Sequence, residues 1–382
     1  MLSISVKTVR PLERADEITD EMMESATLVA YSRAQGLFEP SGKLRRMPSS
    51  ARRKVFVTRV IDPAALERLR AEATVTVWRD ELPPPESVLR STLKNADAVL
   101  SMVTDKIDAR VIAEAAQLRV ISNLAVGVDN IDLEAATRAG IAIGHTPGVL
   151  TEATADLAFG LLMATARRIA EADRHVRAGM WRTWGPMTLL GRDVHSSTLG
   201  LIGFGAIGQA MARRAAGFGM RVLYLIHPSS KLHNGRVAGA VGVTLQRLLA
   251  DSDYVSIHVP LTAKTRRMIG AREFALMKPG AILINTARGA VIDQAAMAAA
   301  LKSGHLGGAG LDVTDPEPIE SGDPLLQLDN VVITPHIGSA SIAARARMAA
   351  IAVQNILDVF IGRVPRFCAN EQVRLRPLKN AT

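Results

Sequence analysis

One cysteine, Cys368, stands in 382 residues. That excludes an internal disulfide and leaves no basis for a metal cluster; a reducing, cytoplasmic setting is the simplest one for such a chain. Long apolar runs are lacking too. The longest candidate, Leu157 to Ala166, follows Asp156 and falls short of the roughly 18–20 residues needed to span a bilayer, so no membrane partner is expected. Aromatic residues make up only 4%, which with abundant alanine suits helices packed closely on a sheet. Acidic residues lag behind basic ones, and the formal net charge is +9. The basic residues are scattered along the chain, with no run interleaved by aromatics. The balance is therefore read as a surface that attracts an anionic cofactor and substrate, not as a nucleic-acid-binding face.

The hydrophobic content of 48% is that of a globular protein, and the length exceeds one ordinary core, so two domains are expected. Residues 1–53 carry nine Lys/Arg and seven Asp/Glu, show no convincing period and end in Pro48-Ser49-Ser50. They are too acidic for a transit peptide and lack the apolar centre of a secretory signal. The reading is a disordered extension over 1–52, with Met47 as an alternative start. Beyond it, strand and helix alternate: strands at 54–58, 75–78, 98–102, 118–122 and 141–143, with helices at 63–72, 111–117 and 133–139. A long helix is expected over 154–177 with Thr151 as its cap. A second alternation has strands near 199–203, 221–226, 254–259, 281–285, 308–312 and 331–334, closed by a helix over 341–360 that is apolar on one face. Strands separated by helices imply parallel sheets.

Leu199-Gly200-Leu201-Ile202 runs into Gly203-Phe204-Gly205-Ala206-Ile207-Gly208, then a helical stretch and a second strand. The glycine spacing alone is weak; its strand–turn–helix–strand setting gives it meaning. Gly203 allows the tight turn, Gly205 lets the backbone approach a pyrophosphate, and Gly208 permits close helix–strand packing. The helix N-terminus then offers free N–H groups to the anion. An acid about 18–20 residues past the last glycine would bind the ribose 2′-hydroxyl of NAD. Ile226 stands there instead, followed by His227-Pro228-Ser229-Ser230-Lys231. NADP(H) is therefore favoured, with NAD(H) the alternative.

Three further strands end in polar segments: Thr286-Ala287-Arg288-Gly289, Thr314-Asp315-Pro316-Glu317-Pro318 and Thr334-Pro335-His336-Ile337-Gly338. Ligands of open parallel sheets bind beyond the carboxyl ends of the strands. An arginine there can hold a carboxylate through two parallel hydrogen bonds. A histidine can exchange a proton with a substrate oxygen, and a carboxylate beside it orients the ring. Each residue alone also has a structural reading: Arg288 in a helix-start ion pair, Glu317 solvated between prolines, His336 satisfied in a core.

These segments, with Gly310-Leu311-Asp312-Val313 and Ala290-Val291-Ile292-Asp293, resemble the signatures of the D-isomer-specific 2-hydroxyacid dehydrogenases. The likeness runs from about Lys54 to Asn370. It is greatest to the glyoxylate/hydroxypyruvate reductases through Val55-Phe56-Val57-Thr58-Arg59, Ala125-Val126-Gly127-Val128-Asp129 and Thr146-Pro147-Gly148-Val149-Leu150-Thr151.

The resemblance implies an α/β architecture of two Rossmann-like or flavodoxin-like domains with an active-site cleft between them. Residues 53–147 and 337–368 would form the substrate-binding domain, 148–336 the NAD(P)-binding domain and 369–382 a C-terminal tail. It implies that Arg288 binds the substrate's carboxylate and keto oxygen, that His336 is the acid/base with Glu317 bonded to it, and that Val126 and Gly127 add backbone N–H groups. The cofactor contacts would be Thr154, Gly203, Gly205, Ala206, Ile207, Gly208, His227, Val259, Pro260, Thr286, Ala287, Asp312, His336 and Gly338, with Asp312 meeting the nicotinamide carboxamide. Trp184 would reach into the active site of a partner subunit, which implies a homodimer. Ala206 departs from the arginine common inside the glycine turn. The implied reaction reduces glyoxylate or hydroxypyruvate to the D-2-hydroxy acid. Formate dehydrogenases carry glutamine opposite the histidine, so Glu317 argues against that activity. A short phosphoglycerate dehydrogenase and an NAD(H)-sensing corepressor are the remaining alternatives, the latter disfavoured by the reductase-like segments and Trp184.

Overall fold

A computed structural model describes residues 52–226 and 239–376. The expectations for 1–51, including the extension and its start, and for His227 to Lys231 lie outside the described residues.

The first sheet has strands β1 (Lys54–Val57), β2 (Thr74–Val77), β3 (Ala98–Ser101), β4 (Val120–Asn123) and β5 (Ala142–Gly144), all parallel and in the order β2-β1-β3-β4-β5. Its central strands β3, β4 and β5 are buried along their whole length, as a parallel sheet covered on both faces requires. Helices Glu86–Leu93, Ala109–Glu114 and Leu133–Arg138 cover one face. The other face is covered by Pro63–Glu72 and by the last helix, Ile342–Phe360, whose Met348, Ala352, Val353 and Ile356 pack on Val55, Leu100 and Val120. The sheet therefore takes its covering from both ends of the chain.

Helix Thr151–Ala166 carries the chain to a second sheet of β6 (Thr198–Ile202), β7 (Arg221–Leu225), β8 (Val241–Val243), β9 (Tyr254–Ile257), β10 (Ala281–Asn285), β11 (Leu306–Leu311) and β12 (Val331–Ile333). Its order is β12-β11-β10-β9-β6-β7-β8, all parallel. The strand order reverses at β6, between β7 and β9. That reversal opens a crevice beyond the carboxyl ends of β6 and β9, the place where doubly wound sheets take ligands. Both sheets are parallel α/β, as the alternation predicts.

Three expectations need correction. The helix expected over 154–177 is two helices, Thr151–Ala166 and Ile169–Arg177, separated at Arg168, which is left-handed with φ 53°. At the break the amide of Arg192 donates to the Ala166 carbonyl at 2.8 Å, so that carbonyl is satisfied from outside the helix. Strand β8 was not expected: Val241-Gly242-Val243 holds a glycine between two valines and has only one buried residue. Residues 369–376 are no loose tail, because Asn370 and Val373 are buried. The Arg376 guanidinium donates to the carbonyls of Ala115, Ala116 and Leu118, and also to Ala139, so it caps two helices. Among the described residues no helix is long and apolar enough to cross a membrane.

Candidate active site

The glycine turn closes β6 as its spacing predicts. Gly203 has φ 106°, open to glycine at little cost, and a Cβ there would lie 2.6 Å from the His258 carbonyl oxygen. A Cβ on Gly208 would come within 2.1 Å of the Gly203 oxygen, so the helix can sit on the turn only if 208 has no side chain. Gly205 differs from both: a Cβ there would meet nothing within 4 Å. Its lack of side chain serves the space in front of the turn, not the packing behind it. Helix Ala206–Gly217 starts there, so the free N–H groups of Ala206 and Ile207 belong to its first turn. Phe204 and Tyr224 stack under the turn at 4.2 Å.

The turns after β10, β11 and β12 adjoin because those strands are neighbours. Asn285, fully buried, shapes the first: its carboxamide accepts from the Ala287 amide and donates to the Arg288 carbonyl. Gly289 lies against the second turn, where a Cβ would stand 2.0 Å from the Thr314 oxygen. Asp312, 1% exposed, takes Thr334 Oγ1 at 2.6 Å, the Ile337 amide at 2.8 Å and the Gly338 amide at 2.7 Å. Its carboxylate thus builds the loop that carries His336. The sequence reading aimed that carboxylate at the nicotinamide carboxamide; three of its roughly four acceptor positions are committed to the chain itself. Thr154 is buried beside Gly338, with its Cγ2 3.5 Å from where a Gly338 Cβ would be.

His336 and Glu317 are in contact through Nδ1 and Oε1. An ionised carboxylate can only accept, so Nδ1 carries the proton and Nε2 is the nitrogen left for other work. Glu317 stands between two cis peptide bonds, Asp315-Pro316 and Glu317-Pro318.

Arg288 crosses to the first sheet. Its Nε lies 3.2 Å from both Asp129 oxygens, Nη2 lies 3.0 Å from Oδ1, and Nη1 donates to the Ala287 carbonyl at 2.8 Å. A Cβ on Gly127 would sit 2.1 Å from Nη2, so any larger residue there would push the guanidinium out of this position. Val126, next to it, is 40% exposed. The loop after β4 and the turn after β10 therefore meet. Asp129 went unassigned in the sequence, since no local pattern joins residues 159 positions apart.

The buried Thr286 hydroxyl, two residues before Arg288 in the same turn, has no hydrogen-bond partner. A free buried polar atom, an unobstructed glycine turn and a fresh helix N-terminus together fit a dinucleotide. Val259 and Pro260 extend from β9 along the same crevice, and Ala287 packs on the core beside them. His258, on the same segment, lies 2.9 Å from Ser256 Oγ through Nε2, and burial pushes its imidazole down to about 4. Trp184 is elsewhere. It is 78% exposed and lines a hollow of about 270 Å³ with Trp181, His175, Val176 and Leu189, none of them from the strand-end cluster. No group of His, Cys, Asp and Glu suited to a metal occurs among the described residues.

The fold and this cluster define a two-domain, dinucleotide-dependent dehydrogenase. Comparison with known proteins narrows the class. Residues 159–338 match the family model of the D-isomer specific 2-hydroxyacid dehydrogenase, NAD binding domain. A glyoxylate reductase of Korarchaeum cryptofilum is 49% identical over 327 residues, 85% of this chain and 98% of that protein. A crystal structure of a Thermus thermophilus protein aligns with a TM-score of 0.78 at 48% identity, covering 83% of this chain and 99% of that one. The NADPH-dependent glyoxylate/hydroxypyruvate reductase of Sinorhizobium meliloti, solved with NADP and malonate, aligns with a TM-score of 0.75 at 30% identity, over 86% of this chain and all of that one. The chain belongs to the D-isomer specific 2-hydroxyacid dehydrogenase family and is an NAD(P)-dependent oxidoreductase.

Proposed function

We propose that this protein reduces glyoxylate or hydroxypyruvate to the corresponding D-2-hydroxy acid, with NADP(H) favoured over NAD(H). The observation that carries the chemistry is the His336–Glu317 contact, set among the same strand ends as Arg288. The substrate class follows from likeness to glyoxylate reductases over nearly the whole of their length.

Bound at the glycine turn, the reduced nicotinamide supplies a hydride to the keto carbon. The chain's residues do the rest. Arg288 holds the carboxylate and keto oxygen, and the adjoining Val126 and Gly127 amides hold the carboxylate from the first domain. His336, held by Glu317 through Nδ1, gives the proton on Nε2 to the keto oxygen as it becomes a hydroxyl. Glu317 offsets the positive charge of the ring before that transfer. The NADP(H) preference rests on Ile226, which follows β7 without a carboxylate for the ribose hydroxyl and so repels no 2′-phosphate.

A homodimer completes the reading. Ile169, Met180, Trp181, Trp184 and Met187 are each more than half exposed on one stretch of chain, a surface suited to a second copy. Polar replacement of Trp181 and Trp184 is expected to yield monomers in sedimentation.

The central experiment follows the oxidation of NADPH and NADH in parallel with glyoxylate, hydroxypyruvate, pyruvate and phosphohydroxypyruvate. Turnover of the first two keto acids, faster with NADPH, is the expected result. Preference for phosphohydroxypyruvate, or no turnover of any, would overturn the reading.

A further inference from the structure

A guanidinium has five N–H donors on three edges. In Arg288 the Nε–Nη2 edge is taken by Asp129, and one Nη1 donor is taken by the Ala287 carbonyl. Two donors remain, one on Nη1 and one on Nη2, side by side on the third edge. That edge has the geometry for two parallel hydrogen bonds to a carboxylate. Which edge an arginine presents is otherwise free to change, because its long side chain has many rotamers.

Asp129 does not float on its loop. Asn123, buried at the end of β4, donates from Nδ2 to the Gly127 carbonyl at 2.9 Å and to Asn130 Oδ1 at 3.0 Å. Asn130 in turn donates to the carbonyls of Met102 and Asp105. The loop is thereby pinned to the ends of β3 and β4, with Asp129 directed at Arg288 from the opposite domain.

We propose that Asp129 is a positioning residue: from the substrate-binding side it fixes which edge of Arg288 faces the substrate. The inference rests on the proposed role of Arg288.

The test is a double-mutant cycle with Asp129→Ala, Asp129→Asn and Arg288→Ala, reading kcat, the KM for glyoxylate, the KM for NADPH and inhibition by oxamate, an unreactive carboxylate. Asp129→Ala is expected to raise the glyoxylate KM and the oxamate inhibition constant together by about two- to fivefold, a size suited to a part-exposed pair, with the NADPH KM unchanged. Asp129→Asn keeps one acceptor and the shape of the side chain, so it should fall between wild type and alanine; it also serves if the alanine variant does not fold. In the Arg288→Ala background, removing Asp129 should add nothing. An equal, additive effect in both backgrounds, or a glyoxylate KM that falls because Asp129 competes with substrate, would overturn the inference. A glyoxylate KM unmoved by Arg288→Ala would overturn the reading of Arg288 itself, and with it the inference built on it.

Discussion

The Asp312 carbonyl accepts from the amide of His336 at 2.9 Å, while its carboxylate holds Ile337 and Gly338, the two residues that follow. His336 has φ 54°, a conformation that costs a non-glycine residue on the order of 1–3 kcal/mol unless its surroundings enforce it. Asp312 is that enforcement. Asp312→Ala strands two backbone amides and costs the Thr334 hydroxyl its shorter hydrogen bond, and is expected to lower stability by about 2–3 kcal/mol. It should also reduce kcat about tenfold or more through a displaced His336, with thermal unfolding and steady-state kinetics as the paired measurements. Stability lost with kcat intact would separate Asp312 from the placement of the imidazole.

His336→Ala should cut kcat by roughly 10²–10⁴ if the ring is the general acid. Glu317→Gln keeps the shape and one acceptor but removes the charge, so a smaller loss is expected, with a changed dependence of rate on pH. A Glu317→Gln profile that overlays the wild type would show that the carboxylate merely occupies space.

The glycines of the turn divide by what lies behind them. Gly208→Ala pushes a methyl into the Gly203 carbonyl and should destabilise the fold by on the order of 1–3 kcal/mol. Gly205→Ala meets open space, so the melting temperature should hold while the KM for NADPH rises about tenfold. Equal losses of stability in both would mean that Gly205 serves packing after all.

His258 gives a pH signature. In the unfolded chain its imidazole titrates near ~6.5, whereas burial brings the folded value down to about 4. Between those values the unfolded state binds a proton that the folded state refuses, so stability falls as pH drops through that window and levels below it. His258→Gln should lose less stability than the wild type between about pH 7.5 and about pH 4.5 in denaturant titrations. Identical losses would mean that this imidazole contributes nothing to the acid response.

The strands and the glycine turn were legible because their signals are local: buried runs of β-branched residues, and glycines at fixed spacing. The contact between Glu317 and His336 was legible one step further, since β11 and β12 are neighbours and their ends adjoin. What stayed hidden depends on distant partners. The helix breaks at Arg168, where the amide of Arg192, 24 positions on, takes the Ala166 carbonyl, and nothing around 168 announces it. Asp129 finds Arg288 across the gap between two sheets. Asp312 reads as an acid beside a ligand, yet most of its acceptor capacity is spent on its own chain. Polar residues were recognisable as chemistry-bearing, but their division between substrate and scaffold needed coordinates.

The last helix, Ile342–Phe360, covers the sheet whose first strand begins at Lys54. On the ribosome, the strands of that sheet emerge well before this part of their cover. The second sheet can be completed while the first still exposes Val55, Leu100 and Val120 to the surrounding medium. Nascent chains stalled before residue 342 should therefore be the ones that recruit chaperones, until the helix is available to cover the sheet.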